Sequence, residues 1–300
     1  MNRLFIYGIL ILSSHVNGQF QNSDRLKQTM DAAMQSSDLP ALVAMAVNQK
    51  GEQLTYVYGK VIWKESANVT PNHIFRIYSM TKLVTSVAAM QLVEKNKIKL
   101  DEDLSAYLPE MSRIPILNEG KFTQSKNAIT LRHLLTQTSG FGHSGTDLEL
   151  SKFDRSKWEY KDLPRRFESG TQFLYGTSMD WTGRLIEKLS GLTLDEYFKQ
   201  NITRPLGMNR TFFIVPDSLR HLVSSRGWRG DDGTQPLTET DNRIPATLPK
   251  EFNGSGGLFS TPADFNKLLQ CLLNYGKGAV RILSEATIRE MLKNQIGNIS

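Results

Sequence analysis

Apolar residues recur at helical spacing in Leu26, Met30, Ala33 and Met34, which predicts an amphipathic helix over 24–37 that Pro40 ends. The period then shortens. Residues 42–47 and 53–61 read as strands, joined by Asn48-Gln49-Lys50-Gly51-Glu52 as a hairpin turn. The short apolar run Ile74–Ile77 hands over to Ser79, and helical spacing continues through Leu83, Val84, Val87, Ala88 and Leu92. Thr130 caps a second helix over 131–136, which breaks at Ser139-Gly140-Phe141-Gly142; helical periodicity returns over 179–189, 194–202 and 262–275. Between these elements 112–128 is polar and irregular, 143–170 is loop-rich, and 220–249 has the polar, turn-rich composition of an active-site rim or lid. Two early strands followed mostly by helices predict an α/β (α+β) fold, with a helical domain beside a sheet.

The handover at Ser79 carries the first chemical signal. Residues three apart on a helix lie on one face, so Ser79 and Lys82 point the same way. A serine hydroxyl is a poor nucleophile until a neighbour takes its proton. An amine one turn away can do so when burial disfavours its ammonium form, and a helix N-terminus pushes in the same direction. S-x-x-K alone is also what a serine at a helix start and a solvated lysine look like.

Composition narrows the field without changing this picture. Hydrophobic content of 39% and charged content of 22% over 300 residues describe an ordinary soluble globular chain with a sizeable core. The net charge of +6 comes from scattered Lys and Arg rather than a block, which argues against nucleic acid as a partner. Arg3 precedes an apolar run from Leu4 to Leu12, then Val16-Asn17-Gly18, which reads as a secretory signal peptide over 1–18 cut after Gly18. The remainder, 19–300, reads as one domain, secreted or periplasmic, with no stable membrane span. Cys271, the only cysteine, excludes an internal disulfide and sits among Leu268, Leu269, Leu272 and Leu273 as a packing residue. H-E-x-x-H and G-x-S-x-G do not occur and the five histidines are widely spaced, so no metal and no cofactor are expected.

Four segments together resemble the serine β-lactamase-like family, in its class C β-lactamase and esterase branch. They are Tyr78-Ser79-Met80-Thr81-Lys82, Leu131-Arg132-His133-Leu134-Leu135-Thr136-Gln137-Thr138-Ser139-Gly140, Tyr175-Gly176-Thr177-Ser178, and Gly256-Gly257-Leu258-Phe259-Ser260-Thr261-Pro262-Ala263-Asp264. They stand in the family's order, and the similarity runs from about residue 24 to residue 297. The resemblance implies a penicillin-recognising fold, an antiparallel sheet flanked by a helical domain. It implies that Ser79 is the acylated nucleophile, with Lys82 and Tyr175 as a proton relay and the Ser79 backbone N–H in the oxyanion hole. A phenol titrates near pH 10 in water, too high for a good base, and an adjacent ammonium favours the phenolate. Thr177 stands where the branch keeps an Asn; it can still hydrogen-bond a substrate but lacks the amide fork. That departure favours small esters over β-lactams, with amides and D-amino-acid peptides open within the same mechanism. A catalytically silent binding protein on the same fold is the alternative. His133 reads as packing, Gly256-Gly257 as tight turns, and Tyr56, Tyr58, Trp63 and Trp228 as core or rim.

The resemblance also implies a late helix over 281–295, followed by strands that complete the sheet and carry a third motif, K-T-G or H-x-G. The only H-x-G, His143-Ser144-Gly145, precedes Tyr175 and reads as coincidence. The expectation is therefore an incomplete copy of the domain, poorly stable and nearly inactive as 300 residues, with a bare edge on the N-terminal hairpin.

Overall fold

The computed structural model describes residues 23–299, apart from 64, 66, 160–161, 231–233, 241–243, 245–248, 250 and 279. The leader expected over 1–18 lies outside these residues. Helix α1 (Ser23–Ser36) packs on a hairpin of β1 (Ala41–Val47) and β2 (Gln53–Gly59), antiparallel from Ala41↔Gly59 to Val47↔Gln53. Asn48 makes the turn, its Oδ1 accepting the Lys50 and Glu52 N–H groups at 2.9 and 3.0 Å. The second strand stops at Gly59 rather than at Val61. Gly59 turns into the left-handed region (φ 82°) against the Pro40 carbonyl, where a Cβ would lie 1.8 Å from the oxygen.

Strand β3 (Phe75–Arg76) delivers the chain to Ser79 and pairs antiparallel, far along the sequence, with β8 (Phe259–Ser260). Ser79 lies in a 3₁₀ turn, Tyr78–Met80, and helix α2 (Thr81–Glu94) follows. Most of α2 is buried, including Thr81, Val84, Thr85, Val87, Ala88, Ala89, Met90 and Leu92. A helix apolar all round belongs in a core, and here the core forms around it.

Short helices α3 (Pro109–Ser112), α4 (Leu131–Leu135) and α5 (Leu148–Lys152) come next, then α6 (Ser178–Ser190) and α7 (Leu194–Phe198). The helix expected to run to 202 passes into a π turn over Lys199–Thr203. The core joins α2, α4, α6 and α7, with Trp181 fully buried and its ring stacked on Phe141 at 5.7 Å. Two segments expected to be irregular hold hairpins. One is β4 (Ile116–Asn118) with β5 (Lys121–Thr123), whose turn residues Glu119 and Gly120 are left-handed and donate their N–H groups to the Glu149 carboxylate. The other, β6 (Arg226–Trp228) with β7 (Thr238–Thr240), lies in the polar rim segment.

Helix α8 (Pro262–Leu273) is capped by Thr261, whose hydroxyl accepts the Asp264 N–H at 3.0 Å, and α9 (Glu285–Met291) lies within the expected late helix. Cys271 is half-buried on α8, and burial pushes its thiol up. Among the described residues no helix is long and apolar enough to cross a membrane, and β1 has β2 as its one strand partner.

Candidate active site

The β3–β8 pairing sets the site. It lays the Gly256–Asp264 segment against the start of α2, with Ile77 N–H donating to the Leu258 carbonyl at 3.0 Å and Leu258 N–H donating to Thr81 Oγ1 at 3.1 Å. Gly257 sits where a Cβ would lie 2.9 Å from both the Asn253 carbonyl and the Phe213 ring, so the glycine is required by close approach. The turn before it points the Ser255 carbonyl at Lys82, whose Nζ donates to it at 2.8 Å. The same Nζ reaches Ser79 Oγ at 3.4 Å, so the expected one-face arrangement of Ser79 and Lys82 is what the chain adopts.

Tyr175 arrives from the other side. Its hydroxyl donates to Ser79 Oγ at 2.6 Å, and Lys82 Nζ stands 4.6 Å from its ring centre. Nothing in its own short loop fixes it there; the clamp comes from Gln137. That residue is buried and left-handed (φ 60°), an uncommon conformation outside glycine. Its carbonyl accepts the Leu174 N–H and its Oε1 accepts the Gly176 N–H, each at 2.9 Å, so one residue grips the chain on both sides of Tyr175. Thr146 Oγ1 completes the hold by donating to the Tyr175 carbonyl at 2.7 Å. Gly176 in turn passes so close to the Phe141–Gly142 backbone that a Cβ would lie 2.1 Å from the Phe141 oxygen.

The charges follow from this packing. Partial burial resists ionisation of Tyr175, but hydrogen bonds to Lys82 and Ser79 and the lysine's positive charge outweigh it and hold the phenol below its ordinary value. His143 stands edge-on to Tyr175, ring centres 6.4 Å apart, and burial together with the Lys82 charge pushes it down, towards the neutral form. Its Nδ1 accepts the Gly145 N–H at 3.0 Å, which leaves the other ring nitrogen as the protonated one. The His143-Ser144-Gly145 stretch is thus part of the wall around Tyr175, a placement its spacing did not announce.

Ser79, Lys82 and Tyr175 meet; Thr177 does not join them. It is buried at the start of α6, and its hydroxyl has no partner among the described residues. His133 closes a capping box with Thr130 and is a packing residue, as expected. Of the aromatic candidates, Tyr56 is buried with its hydroxyl on Asp31, whereas Trp228 is 48% exposed on the rim hairpin. Gln137, Ser255, Tyr78 and Arg226 were passed over in the sequence. For Tyr78 the available signal was an aromatic residue directly before Ser79, whereas the polar run Thr136-Gln137-Thr138-Ser139 carried none that singled out Gln137. Among the described residues no group of three or more His, Cys, Asp or Glu stands close enough to hold a metal ion.

Comparison with known proteins gives the arrangement a lineage. A family model described as Beta-lactamase matches residues 26–299. The acyltransferase mokF of Monascus pilosus is 31% identical over 84% of this chain and 68% of its own length. A lovastatin esterase of Penicillium rubens is 28% identical over 90% of this chain and 72% of its own. Unliganded simvastatin synthase (LovD) from Aspergillus terreus superposes with a TM-score of 0.81 at 26% identity, over 91% of this chain and 72% of that one. The chain therefore spans about seven tenths of the length of these relatives.

Proposed function

The chain belongs to the β-lactamase family, and we propose that it is a serine acyl-transfer enzyme acting on small esters through an acyl group carried on Ser79. The observation that carries this reading is the 2.6 Å hydrogen bond between Tyr175 and Ser79, with Lys82 in reach of both. In its ionised form Tyr175 takes the Ser79 proton as Oγ attacks the ester carbonyl. Lys82 keeps that ionised form accessible, and the carbonyl of Ser255 fixes where its ammonium sits. The Ser79 N–H supplies a hydrogen bond to the developing oxyanion. Tyr175 returns the proton to the departing alcohol, then takes one from the second acceptor as it attacks the acyl-serine, and passes it to Ser79 Oγ as the acyl–oxygen bond breaks, which regenerates the enzyme.

That acceptor is water in an esterase and an alcohol in an acyltransferase. Both outcomes occur among the relatives, since one is described as a lovastatin esterase and another as an acyltransferase. The site supports both, because Tyr175 removes a proton from either kind of hydroxyl. The test is a fluorophosphonate probe followed by intact mass, run on the wild type beside Ser79→Ala, with a para-nitrophenyl ester burst in parallel. Wild type takes one label and shows a burst, whereas Ser79→Ala shows neither. Equal labelling of the two proteins removes Ser79 from the nucleophile's role. Adding a primary alcohol to the burst assay then separates transfer from hydrolysis by the product formed.

A further inference from the structure

Helix α2 carries two fully buried threonines, Thr81 and Thr85, among apolar neighbours, and hydroxyls in such a place need partners. Both find them on the segment that runs past the nucleophile. Thr81 Oγ1 accepts the Leu258 N–H at 3.1 Å, and Thr85 Oγ1 donates to the Gly254 carbonyl at 2.8 Å. The Thr81 carbonyl, one turn back, lies farther from the Thr85 hydroxyl at 3.2 Å, so its single proton goes to Gly254. Lys82 donates to the next carbonyl, that of Ser255, at 2.8 Å. Residues 81–85 of α2 thus grip 254–258 at three points.

The Gly254–Ser255 peptide is held at both ends. Its carbonyl is the one Thr85 binds. Its N–H is donated to Asn253 Oδ1 at 2.9 Å, an Asx-turn, with Asp180 Oδ1 of α6 farther off at 3.3 Å. The peptide also has no room to slide. A Cβ on Gly254 would lie 2.5 Å from the Met179 carbonyl oxygen of α6 and 3.3 Å from Thr85 Cγ2, so the turn is wedged between two helices. With this plane fixed, only the two dihedrals of Ser255 remain to aim the following carbonyl, the one on Lys82. That carbonyl carries no net charge, so it seats the ammonium and leaves its charge to act on Tyr175.

We propose that Thr85 and Asn253 are positioning residues for Lys82: together they lock the Gly254–Ser255 peptide and so aim the Ser255 carbonyl that seats the lysine ammonium beside Ser79 and Tyr175. This rests on Ser79 being the acylated residue and Tyr175 its base. Neither residue touches the reacting atoms; each acts through the carbonyl. When either is lost the ammonium leaves its seat, and the phenol loses the hydrogen bond and charge that hold it down while the opposing burial stays. Among the described residues that face Tyr175 from α2 and from the 141–146 loop, Lys82 and His143 titrate. His143 is held down by burial and by the same lysine, so release of Lys82 raises both the phenol and the imidazole. The direction of the shift is the same whichever of the two governs the rate.

The experiment measures pH–rate profiles for para-nitrophenyl acetate on the 300-residue protein and its variants, beside thermal melts. Thr85→Val keeps the volume and loses the hydroxyl; Thr85→Ser keeps the hydroxyl and loses the methyl. In Thr85→Val the rising limb moves up by about half a pH unit or more, and kcat falls about tenfold with KM within about twofold of wild type. Thr85→Ser holds the limb and most of kcat, although its melting temperature falls with the lost methyl. A role in stability alone moves the melting temperatures and leaves the limb in place in both variants. An unmoved limb in Thr85→Val overturns the proposal, and so does a serine variant that shifts as far as valine. Asn253 is exposed, so Asn253→Ala leaves the core intact; it moves the limb the same way and lowers kcat about threefold. Wild-type values there overturn the assignment of Asn253 and, where Thr85→Val does not fold, the whole proposal. Fluorophosphonate labelling is run on the same samples. Wild type that labels while the variants keep its limb overturns the positioning role and leaves the nucleophile standing. Wild type that neither labels nor turns over the ester removes the Ser79 reading, and the positioning role with it.

Discussion

Gly176→Ala is the substitution that most directly weighs geometry against chemistry at this site. Gly176 has no left-handed backbone, so alanine is conformationally acceptable and the whole effect is contact. An added Cβ meets the Phe141 oxygen at 2.1 Å, the Gly142 Cα at 2.5 Å and the Gly142 carbonyl carbon at 2.8 Å, all backbone atoms with no flexible end to swing aside. Reaching even 3.0 Å requires the Tyr175–Gly176 segment to move by about 0.9 Å away from the Phe141 loop. A displacement of that size along the line to Ser79 lengthens the 2.6 Å Tyr175–Ser79 hydrogen bond to about 3.5 Å, the limit at which it counts as one. Misplacement by ~1 Å costs on the order of a hundredfold in rate. Overpacking of this kind costs about 1–3 kcal/mol of stability. The expected result is a folded protein with a lowered melting temperature whose burst and fluorophosphonate labelling rates fall about a hundredfold. The assay is stopped-flow release of para-nitrophenol beside a thermal melt. Wild-type labelling with a lowered melting temperature would refute the claim that Tyr175 must touch Ser79, and wild-type values in both would refute the packing argument itself.

Three further outcomes follow from the same geometry. Lys82→Met removes the charge and hydrogen bond that hold the Tyr175 phenol down and leaves the opposing burial, so the rising limb of the pH–rate profile moves to higher pH, and an unmoved limb assigns it to another group. Gln137→Leu leaves the Gly176 N–H without its acceptor, at a cost of about 1–3 kcal/mol in a thermal melt, and lowers kcat more than it raises KM. Gln137→Glu keeps an acceptor oxygen and recovers most of the rate; equal loss in the two variants would mean that the hydrogen bond is not what positions Tyr175. Thr177→Val removes a buried hydroxyl that has no partner among the described residues, so stability rises by about 1 kcal/mol with turnover retained, whereas lost turnover would put that hydroxyl on the substrate.

The parts of this site visible in the sequence are those that local periodicity governs. Ser79 and Lys82 lie one turn apart where a plain apolar run passes into helical spacing, and Thr130 caps its helix in a way set by a few adjacent residues. What stayed hidden depends on contacts far apart in the chain. The β4–β5 hairpin rests on Glu149 accepting two N–H groups from its turn, and a polar stretch alone gives no sign of such a partner. Gln137 looked like one member of a resemblance segment, although its side chain grips a glycine 39 positions later. The tripeptide His143-Ser144-Gly145 was set aside because it did not fit a late strand, yet the fold carries it to Tyr175. Arg226 lay in a stretch read only as rim, and nothing short of the β6–β7 register shows which of its neighbours share its face.

Ser79 stands at the tip of a helix enclosed by the core, while Tyr78, with Arg226 over its ring, and Trp228 on the rim hairpin are exposed or half-buried. Such an arrangement separates inheritance from novelty. Almost any change along α2 disturbs the packing of the whole molecule, so drift there is penalised regardless of what the protein acts upon. The β6–β7 hairpin contributes little to that interior, so insertions, exchanged side chains or reversed charge can accumulate on it with the fold intact. Descendants of one ancestor can therefore come to favour different substrates while keeping the same interior.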